Sequence, residues 1–208
     1  MNRNETGAGP KLIANAYVGF VDIVASTDLL NAQGTAADFE MMEAFVSSVT
    51  KRARINGVKI LNSTGDGFFF MLEESEDRPE RLGSFVSDLT HDFRLLLLSL
   101  GERARHVESG LRFGIARGNV LSGGVRGCGS SNTLVVGPAV NLASRLCSVA
   151  GRNELAVCKS TFRELNPGFS TKPVSMKFYR CLKGFRASVE SYHMQIDPAA
   201  LDEDAMAS

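Results

Sequence analysis

Two aspartates stand at positions where a carboxylate needs a reason. Asp22 interrupts the apolar run Phe20-Val21-Asp22-Ile23-Val24, and Asp66 sits between Gly65 and Gly67. A carboxylate at the end of a buried strand requires a cation, hydrogen bonds or a bound metal ion. Glycines beside the second let another backbone or a ligand come close. If the two segments are neighbouring strands, Asp22 and Asp66 can share a pair of hard divalent ions, as phosphoryl-transfer chemistry often requires. The plainer reading has each carboxylate capping a turn. A second pair lies in Val140-Asn141-Leu142-Ala143-Ser144-Arg145, where Asn141 and Arg145 are four apart and share one face of a helix. An amide and a guanidinium so aligned suit a sugar oxygen and a phosphoryl oxygen. A solvated polar face fits the same spacing.

The elements that must position these groups follow from hydrophobic periodicity. Residues 16–24 are β-branched and aromatic and read as a buried strand. Phe39, Met42, Phe45, Val46 and Val49 recur at spacings of three and four, predicting a helix from near Thr35 to Asn56-Gly57. Residues 58–61 and 67–72 predict a hairpin around Ser63-Thr64-Gly65-Asp66. A second amphipathic helix is expected over residues 79–102, with Lys51, Arg52 and Arg54 suited to the C-terminal dipole of the first. Residues 111–116 and 119–122 read as a hairpin-like pair turning at Arg117-Gly118. A strand (133–136), a helix (137–149), a strand (155–158) and a short helix (160–165, Ser160 as N-cap) follow, then a closing hairpin of 176–183 and 189–196. This order indicates an α+β domain, with helices packed on one face of a mostly antiparallel sheet. Residues 16–196 form the domain, with tails at 1–15 and 197–208.

The 208 residues carry 23 Lys+Arg against 23 Asp+Glu, a net charge of zero. At 44% hydrophobic and 22% charged, the chain is an ordinary soluble globular protein, which excludes global disorder. Zero net charge argues against a general nucleic-acid binder, which needs a basic surplus. It leaves open a site for one small polyanion. No run approaches 18 apolar residues, so no membrane span is expected, and the first ten residues lack a signal peptide's apolar core. Cys128, Cys147, Cys158 and Cys181 show no metal-ligand spacing with one another or with His91, His106 and His193. They read as small apolar residues of a reduced, cytoplasmic protein.

Taken in order, several segments resemble the catalytic domain of class III nucleotidyl cyclases. Phe20-Val21-Asp22-Ile23 is similar to that family's F-x-D-I strand, and Ser63-Thr64-Gly65-Asp66-Gly67 to its I-G-D-G hairpin. The run from Gly114 through Gly118 and Val120 to Gly123 resembles G-I-x-x-G-x-V-x-x-G, and Gly137 to Leu146 resembles G-x-x-V-N-L-A-S-R-L. Leu182-Lys183-Gly184 resembles the V-K-G of the last hairpin. The resemblance implies the ferredoxin-like class III cyclase fold and a head-to-tail homodimer with shared active sites. On it, Asp22, Asp66 and the carbonyl of Ile23 in one subunit would hold two Mg²⁺ or Mn²⁺ ions over a nucleoside triphosphate. Asn141 of the other subunit would orient the ribose, Arg145 would stabilise charge on the transferring phosphoryl group, and Lys183 would bind the terminal phosphates. The ribose 3′-hydroxyl would attack the α-phosphorus in line, releasing pyrophosphate and a 3′,5′-cyclic nucleotide.

The base-reading positions depart from the family. Asn62 stands where adenylate cyclases typically place Lys and guanylate cyclases Glu, and Leu134 where the family has Asp, Thr or Cys. A slip of one residue would bring Thr133 to the second position. Ala25 and Ser26 replace the family's glycine and aromatic residue after Ile23. The substrate-binding set is therefore Asn62, Leu134, Thr27 and Arg126, the last in a stretch that aligns poorly. Asn62 offers one donor and one acceptor, which match the edge of uracil or, with the amide flipped, cytosine. Leu134 narrows the pocket towards a one-ring base. In this the chain is similar to the small stand-alone bacterial pyrimidine cyclases of anti-phage signalling. That likeness implies UTP or CTP as substrate, an antiviral role, a separate effector that senses the product, and no attached sensor domain. The alternatives are an adenylate or guanylate cyclase with a divergent base pocket, and a catalytically inactive nucleotide-binding or dimerisation module. The presence of Asp22, Asp66, Asn141 and Arg145 together favours the active reading.

Overall fold

Alternation along the first strand sets the architecture. In β1 (Lys11–Val24), Tyr17, Val21 and Ile23 join one apolar cluster, while Ala16 and Val18 join another on the opposite face, the face that Asp22 shares. The computed structural model describes residues 9–31, 35–63, 65–73, 78–104, 106–124, 133–165, 174–179 and 188–198. After β1 come α1 (Ser26–Asn31), α2 (Thr35–Ile55), β2 (Lys59–Ser63), β3 (Gly67–Leu72) and α3 (Arg78–Ser99). A 3-10 turn at Gly101–Arg103 leads to β4 (Gly110–Gly124), β5 (Thr133–Val136), α4 (Pro138–Val149), β6 (Glu154–Cys158), α5 (Lys159–Leu165), β7 (Val174–Tyr179) and β8 (Val189–Gln195).

The strands form one sheet in the order β2-β3-β1-β4-β6-β8-β7, with β5 paired to β4 off that path. Every pairing is antiparallel except β4 with β6, so the α+β expectation holds. The long helices α2 and α3 cover one face. Phe45 meets Phe68 and Phe93 edge-on at 5.6 and 5.3 Å, and Phe70 meets Phe85 at 5.1 Å. Arg52 does more than complement a helix end: it clamps α2 to α3, 3.0 Å from Asp88 and 2.7 Å from Asp92. The shorter α4 crosses the other face, above Val18, Ala116 and Ala156. Its backbone sits directly on β4, because a Cβ on Gly114 would lie 2.0 Å from the Cys147 nitrogen.

Three local readings differ from the sequence expectation. The first strand begins at Lys11, within the stretch read as a tail. Asn15 interrupts the apolar residues on either side of it, and the chain absorbs the break as a bulge with Asn15 at φ 53°. The expected turn at Arg117-Gly118 is absent; β4 runs straight through it. There the Arg117 N–H donates to Thr161 Oγ1 and its guanidinium pairs with Glu164 at 2.7 Å, so the arginine is held from α5 rather than turned to solvent. The strand's second half pairs with the start of β1 on one side and with β5 on the other. Finally, α1 closes the gap between β1 and α2 as a separate short helix.

Candidate active site

Asp22 and Asp66 come together as expected. Antiparallel pairing of β1 with β3 places Asp22 opposite Gly67, and Asp66 is the next residue back along the hairpin. Gly65 supplies the left-handed backbone of the hairpin tip, at φ 88°. The carboxylate of Asp66 makes no hydrogen bond or ion pair with the described residues. Ile23 turns its side chain into the core, 2% exposed, and only its main chain remains at the site. Beyond it, Ala25 takes a left-handed conformation (φ 56°), turning the chain into α1, where Leu29 N–H donates to the Ala25 carbonyl at 3.0 Å. Thr27 on α1 and Asp66 border the same cleft, of about 650 Å³, whose apolar wall is Leu30, Phe39 and Met42.

Arg112 of β4 was not singled out in the sequence. It stands opposite Asp22 in the β1–β4 register and donates to Asp22 Oδ2 from Nε at 2.9 Å and from a terminal nitrogen. A charge inside the apolar run Leu111-Arg112-Phe113 is the same signal that marked Asp22. Behind it Cys147, on α4, is buried, and that burial together with the charge of Asp22 pushes its thiol up to about 12. Cys158 is half-buried, and neither thiol is in a disulfide.

Asn141 and Arg145 share a helix face, and that face points away from Asp22. The buried residues of α4 are Ala139, Ala143, Leu146 and Cys147. At 3.6 residues per turn, Asn141 and Arg145 fall roughly half a turn from that side, on the outer surface of the helix. Neither side chain has a hydrogen-bond or ion-pair partner among the described residues. One chain therefore carries the carboxylates on its sheet and the amide–guanidinium pair facing outwards.

The two base-reading candidates are both exposed. Asn62 lies on the bulged strand β2 opposite Phe69, whose ring stacks on Phe20 at 4.7 Å, and its Oδ1 accepts the Ser63 N–H at 2.9 Å. Leu134, on β5, is 55% exposed and paired with Gly123. Arg126 and Lys183 lie outside the described residues, as do Cys128 and Cys181.

The donor set fits divalent ions. Two carboxylates and a main-chain carbonyl are hard oxygen ligands, which suit Mg²⁺ or Mn²⁺ when water and phosphate oxygens complete the shell. Among the described residues no cluster of three or more His, Cys, Asp or Glu converges. No helix among them is long and apolar enough to cross a membrane.

By fold, the chain is similar to solved cyclase domains. It matches the adenylyl cyclase CyaB from P. aeruginosa with a TM-score of 0.77 at 20% identity, over 90% of this chain and 96% of that one. It matches the guanylate cyclase domain of RhGC from Catenaria anguillulae, in complex with GTP, with a TM-score of 0.70 at 20% identity, over 89% and 98%. In sequence it is 30% identical over 138 residues to the uncharacterized protein Rv1319c of Mycobacterium tuberculosis, covering 65% of this chain and 24% of that protein. The chain thus spans about a quarter of the length of that relative. Residues 10–195 match the family described as the adenylate and guanylate cyclase catalytic domain, and the chain belongs to that family.

Proposed function

We propose that the protein converts a nucleoside triphosphate into its 3′,5′-cyclic nucleotide and pyrophosphate, at sites each built from two copies of the chain. The observation that carries this reading is the outward direction of Asn141 and Arg145. In the chain that bears them they face away from Asp22 and Asp66, so they serve a triphosphate held by a second copy. A head-to-tail homodimer satisfies both sites at once by two-fold symmetry.

Asp22, Asp66 and the Ile23 carbonyl would hold the divalent ions, which when bound supply charge neutralisation and a more acidic 3′-hydroxyl. Arg112, which neutralises Asp22 in its own chain, would give way to those ions and could then pair with the triphosphate. Thr27, at the edge of the cleft beside Asp66, hydrogen-bonds a phosphate oxygen. From the partner, Asn141 orients the ribose, Arg145 meets the charge that builds on the transferring phosphoryl group, and Lys183 holds the terminal phosphates.

For the base we propose a pyrimidine, UTP or CTP, on the strength of Asn62 and Leu134. One amide and one aliphatic residue give little purchase on a purine. The product would then act as a diffusible signal, read by a separate effector in antiviral defence. A purine substrate is the second reading. It is favoured by the exposure of Leu134 and by the engagement of Asn62 Oδ1 with the Ser63 N–H, which together leave the base pocket open. Purified protein with Mn²⁺ and each of the four nucleoside triphosphates separately decides between them. Cyclic UMP or cyclic CMP as the main product supports the pyrimidine reading; faster turnover of ATP or GTP than of both pyrimidines overturns it. No cyclic product from any of the four removes the enzymatic reading and leaves an inactive binding module.

A further inference from the structure

On the α4 side of the sheet, beyond Arg112, a polar cluster built around Glu154 and the buried His193 joins four elements. Glu154 of β6 is its hub, with its side chain 13% exposed. Its Oε2 accepts the Gly151 N–H at 2.6 Å, in the turn that follows α4. The same oxygen lies 2.9 Å from Nδ1 of His193 on β8, whose side chain is wholly buried. Its other oxygen lies 3.4 Å from Lys177 Nζ on β7. The far nitrogen of His193 is 3.0 Å from Ser191 Oγ. Buried polar groups must be paired, and a hub that satisfies several at once fixes the elements that bring them.

We propose that Glu154 is a positioning residue of the cyclase site, tying the end of α4 to the β7–β8 hairpin so that the helix presents Asn141 and Arg145 to the triphosphate in one fixed direction. Both residues are carried by α4. The proposal rests on the cyclase reading of those two residues. Across β4, Arg112 is registered opposite Glu154 and pairs with Asp22, so Glu154 also adjoins the strand that faces the carboxylates.

The hub is sensitive to protons through His193. Facing that imidazole are Glu154 from β6, Lys177 and the ring of Tyr179 from β7, and Ser191 from its own strand, with Arg112 next along on β4. With its proton on Nδ1, neutral His193 donates to Glu154 and accepts from Ser191. A second proton sets an imidazolium 3.3 Å from the Lys177 ammonium, and the hairpin loosens from β6. Burial holds the imidazole below its ordinary range, against the pull of Glu154, so the neutral form prevails near pH 7.

The test compares full-length wild type, Glu154→Gln, Glu154→Asp and His193→Asn by steady-state kinetics with Mn²⁺ and the accepted nucleotide, and by amide hydrogen exchange. Glu154→Gln is expected to lower kcat about tenfold with KM changed less than about twofold, and Glu154→Asp to recover part of the loss. Wild-type kcat should fall as the pH drops below the ordinary imidazole range, and His193→Asn should flatten that fall. Exchange in Glu154→Gln should quicken together at residues 146–151 and 189–195. An unchanged kcat, even with a lower Tm, overturns the proposal, as does faster exchange in only one of the two segments. If Glu154→Gln does not fold, Lys177→Met replaces it with the same expectations. A wild type that cyclises no nucleotide sinks the cyclase reading instead, and the exchange experiment still decides whether Glu154 couples α4 to the hairpin.

Discussion

Arg112 donates two hydrogen bonds to one oxygen of Asp22 across the β1–β4 pair, so a candidate metal ligand is already held by a cation of its own chain. The pair is partly buried, with 31% and 26% of the side chains exposed. Any divalent ion at Asp22 must compete with that guanidinium. Arg112→Ala is expected to tighten Mn²⁺ binding in the absence of nucleotide by about fivefold, which corresponds to roughly 1 kcal/mol of repulsion between neighbouring charges under solvent-like screening. Turnover should fall, because the guanidinium is no longer there to move onto the triphosphate. Titration of Mn²⁺ by calorimetry or electron paramagnetic resonance reads the first effect; equal affinities in the two proteins would show that Arg112 and the ion do not compete.

The outward face of α4 predicts complementation between inactive subunits. Asp22→Ala and Arg145→Ala should each lower activity by about a hundredfold or more. Mixed and allowed to exchange in equal amounts, they should recover up to about a quarter of wild-type activity, since half of the dimers are mixed and each mixed dimer has one intact site. A mixture no more active than its components, from chains shown to exchange, rules out a shared site.

Ala25 occupies a left-handed conformation at φ 56°, where the resembling family has glycine. An alanine there costs about 1 kcal/mol, part of which a glycine would return as unfolded-state freedom. Ala25→Gly is therefore expected to stabilise the fold by about 0.5 kcal/mol, a rise of roughly 1–2 °C in Tm. Calorimetry checks it. A lower Tm would mean that the methyl group makes contacts worth more than the strain.

Acid should weaken the fold through His193 and Glu154. Burial lowers His193. Desolvation by itself would raise Glu154, but the Gly151 N–H and the His193 hydrogen bond together bring it below its ordinary value. Both groups therefore bind fewer protons when folded than unfolded, and their contributions are present above the unfolded pKa values and shrink on acidification. For His193 the loss begins at about pH 6.5, and for Glu154 at about pH 4.3. Urea midpoints at pH 7.5, 6 and 5 should fall in that order, and His193→Asn should lessen the fall between 7.5 and 5. A midpoint that rises on acidification contradicts the assignment.

Much of this molecule is legible in its sequence because its signals are local. The apolar run around Asp22, the glycines at Asp66 and the three-and-four spacing in α2 and α3 each announce an element on their own. The straight passage of β4 through Arg117-Gly118 does not, because what keeps it extended is Thr161 and Glu164, more than forty residues away in sequence. Arg112 escaped for a related reason: its role depends on register with Asp22, ninety residues earlier. The Glu154 hub likewise joins residues from three strands, none conspicuous alone. Whether Asn62 and Leu134 read a base depends on a second chain and a ligand, which lie outside what one sequence encodes locally.

The glycine beneath α4 bears on how such a domain can be switched. With no side chain between Gly114 and the helix backbone, α4 is seated on the sheet atom against atom, and the Glu154 hub anchors the turn at its end. Asn141 and Arg145 are therefore carried with the body of their own subunit. In the shared-site reading, the adjustable quantity is the angle between two rigid halves. Anything that tilts one chain against the other acts like a hand on a hinge, throttling the reaction while leaving each fold untouched.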